Sequence, residues 1–123
     1  MTYVDGFVIA VPKENRDKFI DHANAADSIF IDMGAIRVLE CWEDDVPDGQ
    51  LTDFRRAVQA TPDEAVAFSW IEWPDKETRD KAFAWMMDPE NKDPRLDQSK
   101  NEVPFDGKRM IFGGFTPVVT VGK

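Results

Sequence analysis

The chain has 123 residues, 42% of them hydrophobic, and sets 24 acidic side chains against 15 basic ones for a formal charge of −9. That length and apolar content suffice for one core, so we expect a single domain over residues 1–123. The negative charge opposes a polyphosphate backbone and argues against nucleic acid, and no apolar run approaches the roughly 18 residues of a membrane helix. The lone Cys41 permits no internal disulfide and no signal-like start precedes the first apolar residues, so the expected compartment is the cytoplasm.

Residues 3–11 are rich in β-branched and aromatic types and stop at Pro12, which reads as a strand. Between Lys13 and Met33, the residues Phe19, Ala23, Ala26, Phe30 and Met33 recur at helical spacing, and Gly34 follows where a left-handed cap belongs. Residues 35–43 return to β composition and end in the turn formers of 44–49. Residues 51–60 alternate weakly, with Phe54 and Val58 on one side, and read as a strand-like arm. Ala65–Trp73 is apolar on both faces and predicts a central strand. Asp75 caps a second helix that carries Ala82, Phe83 and Met86 inward and ends at Asp88-Pro89. The connection 89–107 holds three of the eight prolines and is longer than a compact domain usually tolerates, which suggests a flap or a partner-binding segment. Lys108–Val121 reads as the last strand, with Gly113-Gly114 marking a bulge or a close backbone approach.

This order gives an α+β, ferredoxin-like βαββαβ unit, an antiparallel sheet with two helices on one face. Two helices cover only one face of such a sheet, yet the first and third strands are apolar on both. A second copy is the most economical cover, and a homodimer built sheet to sheet is expected.

Chemistry-bearing residues are few. Asp5 shares a strand face with Tyr3, Phe7 and Ile9, and Glu40 shares one with Ile36, Val38 and Trp42. A carboxylate on an apolar face either finds a partner or has its proton affinity raised, so both are candidate general acids or bases. Trp42 and Trp70 are candidate walls of an apolar pocket, and Arg55 and Arg109 are candidate ligand-binding groups, weighed against the simpler reading as ion-pair partners. His22 has no second histidine or cysteine at ligand spacing, and Cys41 and Ser69 lack a recognisable nucleophile motif, so neither a metal nor a cofactor is expected.

The segments Tyr3-Val4-Asp5-Gly6-Phe7, Glu40-Cys41-Trp42, Phe54-Arg55-Arg56-Ala57-Val58, Phe68-Ser69-Trp70-Ile71 and the run Pro104–Phe115 together resemble the YbaA-like family of uncharacterised bacterial proteins. The likeness runs from Tyr3 to about Val119 and implies a dimeric α/β barrel, with no particular reaction attached. Two functions are therefore carried forward. One is a homodimeric binding or interaction protein with a small apolar or anionic ligand in the barrel. The other is a cofactor-independent enzyme, monooxygenase- or isomerase-like, with Asp5 or Glu40 as general base.

Overall fold

The computed structural model describes residues 2–122. Runs rich in apolar, β-branched and aromatic residues build four strands, β1 (Tyr3–Pro12), β2 (Arg37–Trp42), β3 (Glu64–Trp73) and β4 (Ile111–Phe115), and all pairings are antiparallel in the order β2-β3-β1-β4. Three helices accompany them: α1 (Arg16–Asp32), the single turn α2 (Phe54–Ala57) and α3 (Lys76–Met86). Each long helix connects two strands that run parallel with a third strand between them, which is the ferredoxin-like arrangement. No helix among the described residues is long and apolar enough to cross a membrane.

The pleat divides the side chains. Tyr3, Asp5, Phe7, Ile9 and Val11 of β1 point toward the helices, as do Ala65, Ala67, Ser69, Ile71 and Trp73, their partners on β3. Beneath α3 and the end of α1, Tyr3, Ala35, Ile71, Trp73 and Ala82 form one buried cluster, with Phe30 and Phe83 edge-on to the Trp73 indole. Beneath the start of α1, Ile9, Val11, Phe19 and Ala67 form another, closed by Trp42, Phe105 and Met110. The helix ends follow local chemistry. Gly34 after α1 has φ 107° and lies so near Thr78 that a Cβ would stand 2.8 Å from its methyl group, and the Asp75 side chain accepts from the Thr78 N–H at 2.7 Å to start α3.

Four expectations need correction. Residues 51–60 are not a strand. Asp53 accepts from the Arg56 N–H at 2.7 Å and caps α2, after which Val58, fully buried, packs on Ala10 and Val66. The segment therefore covers one end of its own sheet's open face instead of reaching away from it. The last strand stops at Phe115, not Val121, and it starts late because Asp106 caps a 3-10 turn over Gly107–Arg109. Gly113-Gly114 is no bulge, since the register from Val8↔Ile111 to Val4↔Phe115 is unbroken. Gly114 serves instead the close approach of Tyr3, whose ring carbons would stand 2.8 Å from an added Cβ. Finally, of the two expectations for 89–107, the loose flap gives way to a strap tied along α1. The Arg95 guanidinium donates to Asp93, Asp32 and the Ser28 hydroxyl, His22 Nδ1 donates to Asn101 Oδ1 at 3.0 Å, and Asn15 donates to the Pro104 carbonyl at 3.0 Å.

The opposite face of the sheet carries Val4, Gly6 and Val8 of β1, Phe68 and Trp70 of β3, and Ile111 and Phe115 of β4 around an apolar groove of about 580 Å³. Away from the Val58 end, none of the described residues covers it. Phe68 is 42% exposed and Phe115 63% exposed, so the central strand is apolar on both faces, as expected, but solvated on one.

Candidate functional site

The six residues singled out from the sequence do not converge. Asp5 is buried beneath α3, where its carboxylate accepts from Trp73 Nε1 at 2.9 Å and from the Arg79 guanidinium at 2.9 Å and 3.1 Å. Arg79 lies flat over Phe83 at 4.2 Å and near Tyr3 at 5.4 Å, and the buried carboxylate raises the hold of the guanidinium on its proton. With both oxygens engaged by three donors in a dry core, Asp5 is committed to structure and has no approach for a substrate.

Arg55 and Arg109 are likewise committed. Arg55 donates to Glu43 Oε1 at 2.8 Å and to the carbonyls of Thr61 and Glu64, so it braces the loop before β3. Arg109 forms a two-pronged pair with Glu64 at 2.7 Å and 2.6 Å and also reaches Asp106. That clamp, helped by the Thr61 N–H, holds the Glu64 carboxyl down at about 2. Trp70 lies on the open sheet face, its indole N–H donating to Glu72 at 3.1 Å, on the far side of the sheet from Asp5 and Glu40.

Glu40 and Trp42 do stand together. Both point from β2 toward the helix layer, in register with Ser69 and Ala67 of β3. Because β2 is an edge strand and α1 crosses beside it, a cleft of about 600 Å³ opens between them. Phe19, Ile20, Ile31 and Val38 give it an apolar part beside the polar Asn24 and Ser28, and Trp42 also lines it with the Arg16 guanidinium 5.7 Å from its ring centre. Asp27 of α1, which the sequence reading missed, faces Glu40 across this cleft. Burial, then the hydrogen bond to Glu40 and the repulsion between the two carboxyls, push Asp27 up to about 9. At neutral pH Asp27 therefore keeps a proton and its O–H donates to Glu40. Directly across from Glu40 in the ladder, the buried Ser69 hydroxyl has no hydrogen-bond partner, the one such side-chain atom among the described residues.

A protonated Asp27 beside Glu40 offers a donor and an acceptor in one cleft, beside a flat aromatic wall. Such a pair recognises a polar group that both gives and takes a hydrogen bond, and it can move a proton. No group of three or more metal-ligating side chains occurs among the described residues. Asp27 could have been suspected from its place on the helix. It falls one residue past Ala26 of the inward stripe, at the boundary where a polar side chain can reach a neighbouring edge strand.

Comparison with known proteins agrees with this frame. The family described as "Protein of unknown function (DUF1428)" matches residues 2–107. The chain is 51% identical over 119 residues to the uncharacterized protein YbaA of Escherichia coli K12, covering 97% of this chain and 98% of that one, and it is equally similar to YbaA of Shigella flexneri. A crystal structure of a dimeric ferredoxin-like protein from an uncultured marine organism superimposes with a TM-score of 0.59 at 10% identity, over 98% of both chains, which supports the fold alone. On the family match and the near full-length identity to YbaA, the chain belongs to the DUF1428 family.

Proposed function

We propose that this protein is a homodimeric small-molecule-binding protein whose ligand lies in the cleft between α1 and β2, with its polar group on the Asp27–Glu40 pair and its apolar body against Trp42. The observation that carries this reading is the proton-sharing pair. Asp27 is half-buried in a half-apolar cleft, where a carboxyl without a use lowers stability, and among the described residues neither it nor Glu40 closes a cap or an ion pair elsewhere. Asp5, by contrast, has a complete structural role, so the choice between the two expected carboxylates falls on Glu40. The ligand implied is compact, flat or aliphatic, and bears a group such as an amide, a carboxylic acid or an enolisable carbonyl.

The dimer is inferred from the open sheet face. Its groove is apolar, and the exposed rings of Phe68 and Phe115 lie at its centre and rim, with Phe54 of α2 stacked edge-on to Phe68 at 5.8 Å. A second copy with the same face buries all of these at once. The structurally similar marine protein is itself described as dimeric.

A second reading, proton-transfer catalysis, is favoured by the raised proton affinity of Asp27 beside Glu40, with Asp27 as the acid and Glu40 as the base. A thermal-shift screen of small amides, carboxylic acids and carbonyl compounds tests the binding reading. Compounds that raise the melting temperature of the parent should lose that effect in both Glu40→Gln and Asp27→Asn. A stabilising compound that works equally on both variants places the site elsewhere.

A further inference from the structure

The chain has seven arginines, and six of them donate a hydrogen bond to a carboxylate. Arg16 is the exception. Its one acidic neighbour among the described residues is the adjacent Asp17, which stands 3.9 Å away, too far for a hydrogen bond, and is 95% exposed. The chain carries 24 acidic side chains, and an arginine's fork matches a carboxylate, yet this one is left without such a partner. What Arg16 meets instead is Trp42, with its guanidinium 5.7 Å from the ring centre, and both residues line the cleft that holds Asp27 and Glu40.

The helix explains how one face presents both kinds of charge. Arg16, Ile20, Ala23 and Asp27 follow one another at intervals of four, three and four along α1, so an apolar stretch separates a basic end from an acidic end. On β2 the pleat turns Glu40 and Trp42 the same way, and Phe19 backs the Trp42 ring at 5.9 Å. The other basic residue at the cleft, Arg37, falls on the opposite pleat and is held by Glu72. Among the described residues, Arg16 is therefore the one cation at the cleft without a hydrogen-bonded carboxylate.

We infer that the cleft takes a small aromatic monocarboxylate, with its carboxylate on Arg16, its ring against Trp42, and a neutral hydroxyl or amide at the far end on Asp27 and Glu40. The inference rests on the cleft reading above and adds to it the charge, length and direction of the ligand. The Cα atoms of Glu40 and Trp42 are about 7 Å apart along the strand. Those of Arg16 and Asp27 are about 16 Å apart along the helix. A single ring with a short acidic side chain falls between these lengths. The reverse orientation would set the ligand's carboxylate beside Glu40, where like charges repel. The formal charge of −9 repels anions from the molecule as a whole, so a preference for an anionic ligand must arise locally, at Arg16.

Isothermal titration calorimetry with two matched probes, para-hydroxyphenylpropionate and its uncharged amide, tests this in the parent, Arg16→Gln, Arg16→Lys and Glu40→Gln. The parent should bind the carboxylate about tenfold or more tighter than the amide. Arg16→Gln should bring the two dissociation constants within about twofold of each other, Arg16→Lys should keep part of the preference, and Glu40→Gln should weaken both probes. Circular dichroism should show all three variants folded, since Arg16 is half-exposed and Glu40 lies on an edge strand. If the parent binds both probes alike, or its preference survives Arg16→Gln, the anionic end is overturned, and the cleft still stands where Glu40→Gln weakens both. Probes that bind Glu40→Gln as well as the parent overturn the cleft reading and this inference together. Failure of the parent to bind either probe overturns the aromatic monocarboxylate, and the thermal-shift screen then judges the cleft by itself.

Discussion

Replacing Arg79 by methionine would remove the charge that answers Asp5 while keeping most of the packing of the stem. The Asp5 side chain is only 3% exposed, so in Arg79→Met its carboxylate would stay in a dry core with the Trp73 N–H as its one remaining donor. Breaking a buried ion pair from one side costs about 3–5 kcal/mol, and the lost guanidinium contacts with the Phe83 and Tyr3 rings add roughly 0.5–1 kcal/mol. A total near 4 kcal/mol, at roughly 4 °C per kcal/mol for a domain of this size, lowers the melting temperature by about 15 °C. Urea unfolding followed by tryptophan fluorescence measures the loss directly. The double variant Asp5→Leu/Arg79→Met should recover part of it, because no charge is then stranded and only the Trp73 N–H lacks a partner. A loss below about 1 kcal/mol in Arg79→Met, or a double variant worse than the single one, would refute the buried-pair reasoning.

Asp27 holds its proton in the folded state up to about 9 but releases it near 3.8 when unfolded, so stability should fall as pH rises across that window. Asp27→Asn should flatten that slope in melting curves taken from acid to mildly alkaline pH. Glu64, held at about 2 by Arg109 against an ordinary value of 4.5, contributes stability that is present above 4.5 and disappears as pH falls toward 2; Arg109→Gln should therefore shift acid unfolding to higher pH. Gly114→Ala should destabilise by about 1–3 kcal/mol in urea, since its methyl group would overlap the Tyr3 ring. Phe68→Asp should weaken self-association in sedimentation far more than Phe83→Ala, which lies in the helix-side core and should cost stability instead.

Where a period was long and clean, the sequence was readable. β1 and β3 are runs of mostly apolar, β-branched and aromatic residues bounded by prolines or turn formers, and the stripe of α1 with Gly34 after it marks both the inward face and the end of the helix. The segment 51–60 misled because Phe54 and Val58, four apart, also fit one turn of helix, and an aspartate just before the pair is a capping signal that outweighs weak alternation. The end of β4 was invisible for a different reason. Thr116–Val121 has every local mark of a strand, and what it lacks is a neighbour, a property of the sheet and not of the residues.

Half of the site was legible on the same grounds. The faces of Asp5 and Glu40 are set by the pleat, but their partners, Arg79 and Asp27, are contributed by helices, and Arg79 lies 74 positions along the chain from Asp5. Only the packing of α3 over β1 and of α1 beside β2 decides that one carboxylate meets a guanidinium and the other meets a second carboxyl. The fates of Arg55 and Arg109 were open in the same way, since an arginine's fork fits a ligand and a nearby glutamate equally well.

The central claim is that Asp27 and Glu40 share one proton in a cleft open to a ligand. Carbon-13 NMR titration of the aspartate and glutamate side-chain carboxyls, in the parent and in Glu40→Gln, tests it most directly. In the parent, the Asp27 carboxyl should titrate near 9, and the Glu40→Gln variant should bring it down by removing the repulsion. An Asp27 carboxyl that titrates near its ordinary value of 3.8, or one indifferent to Glu40→Gln, would contradict the shared proton and with it the site.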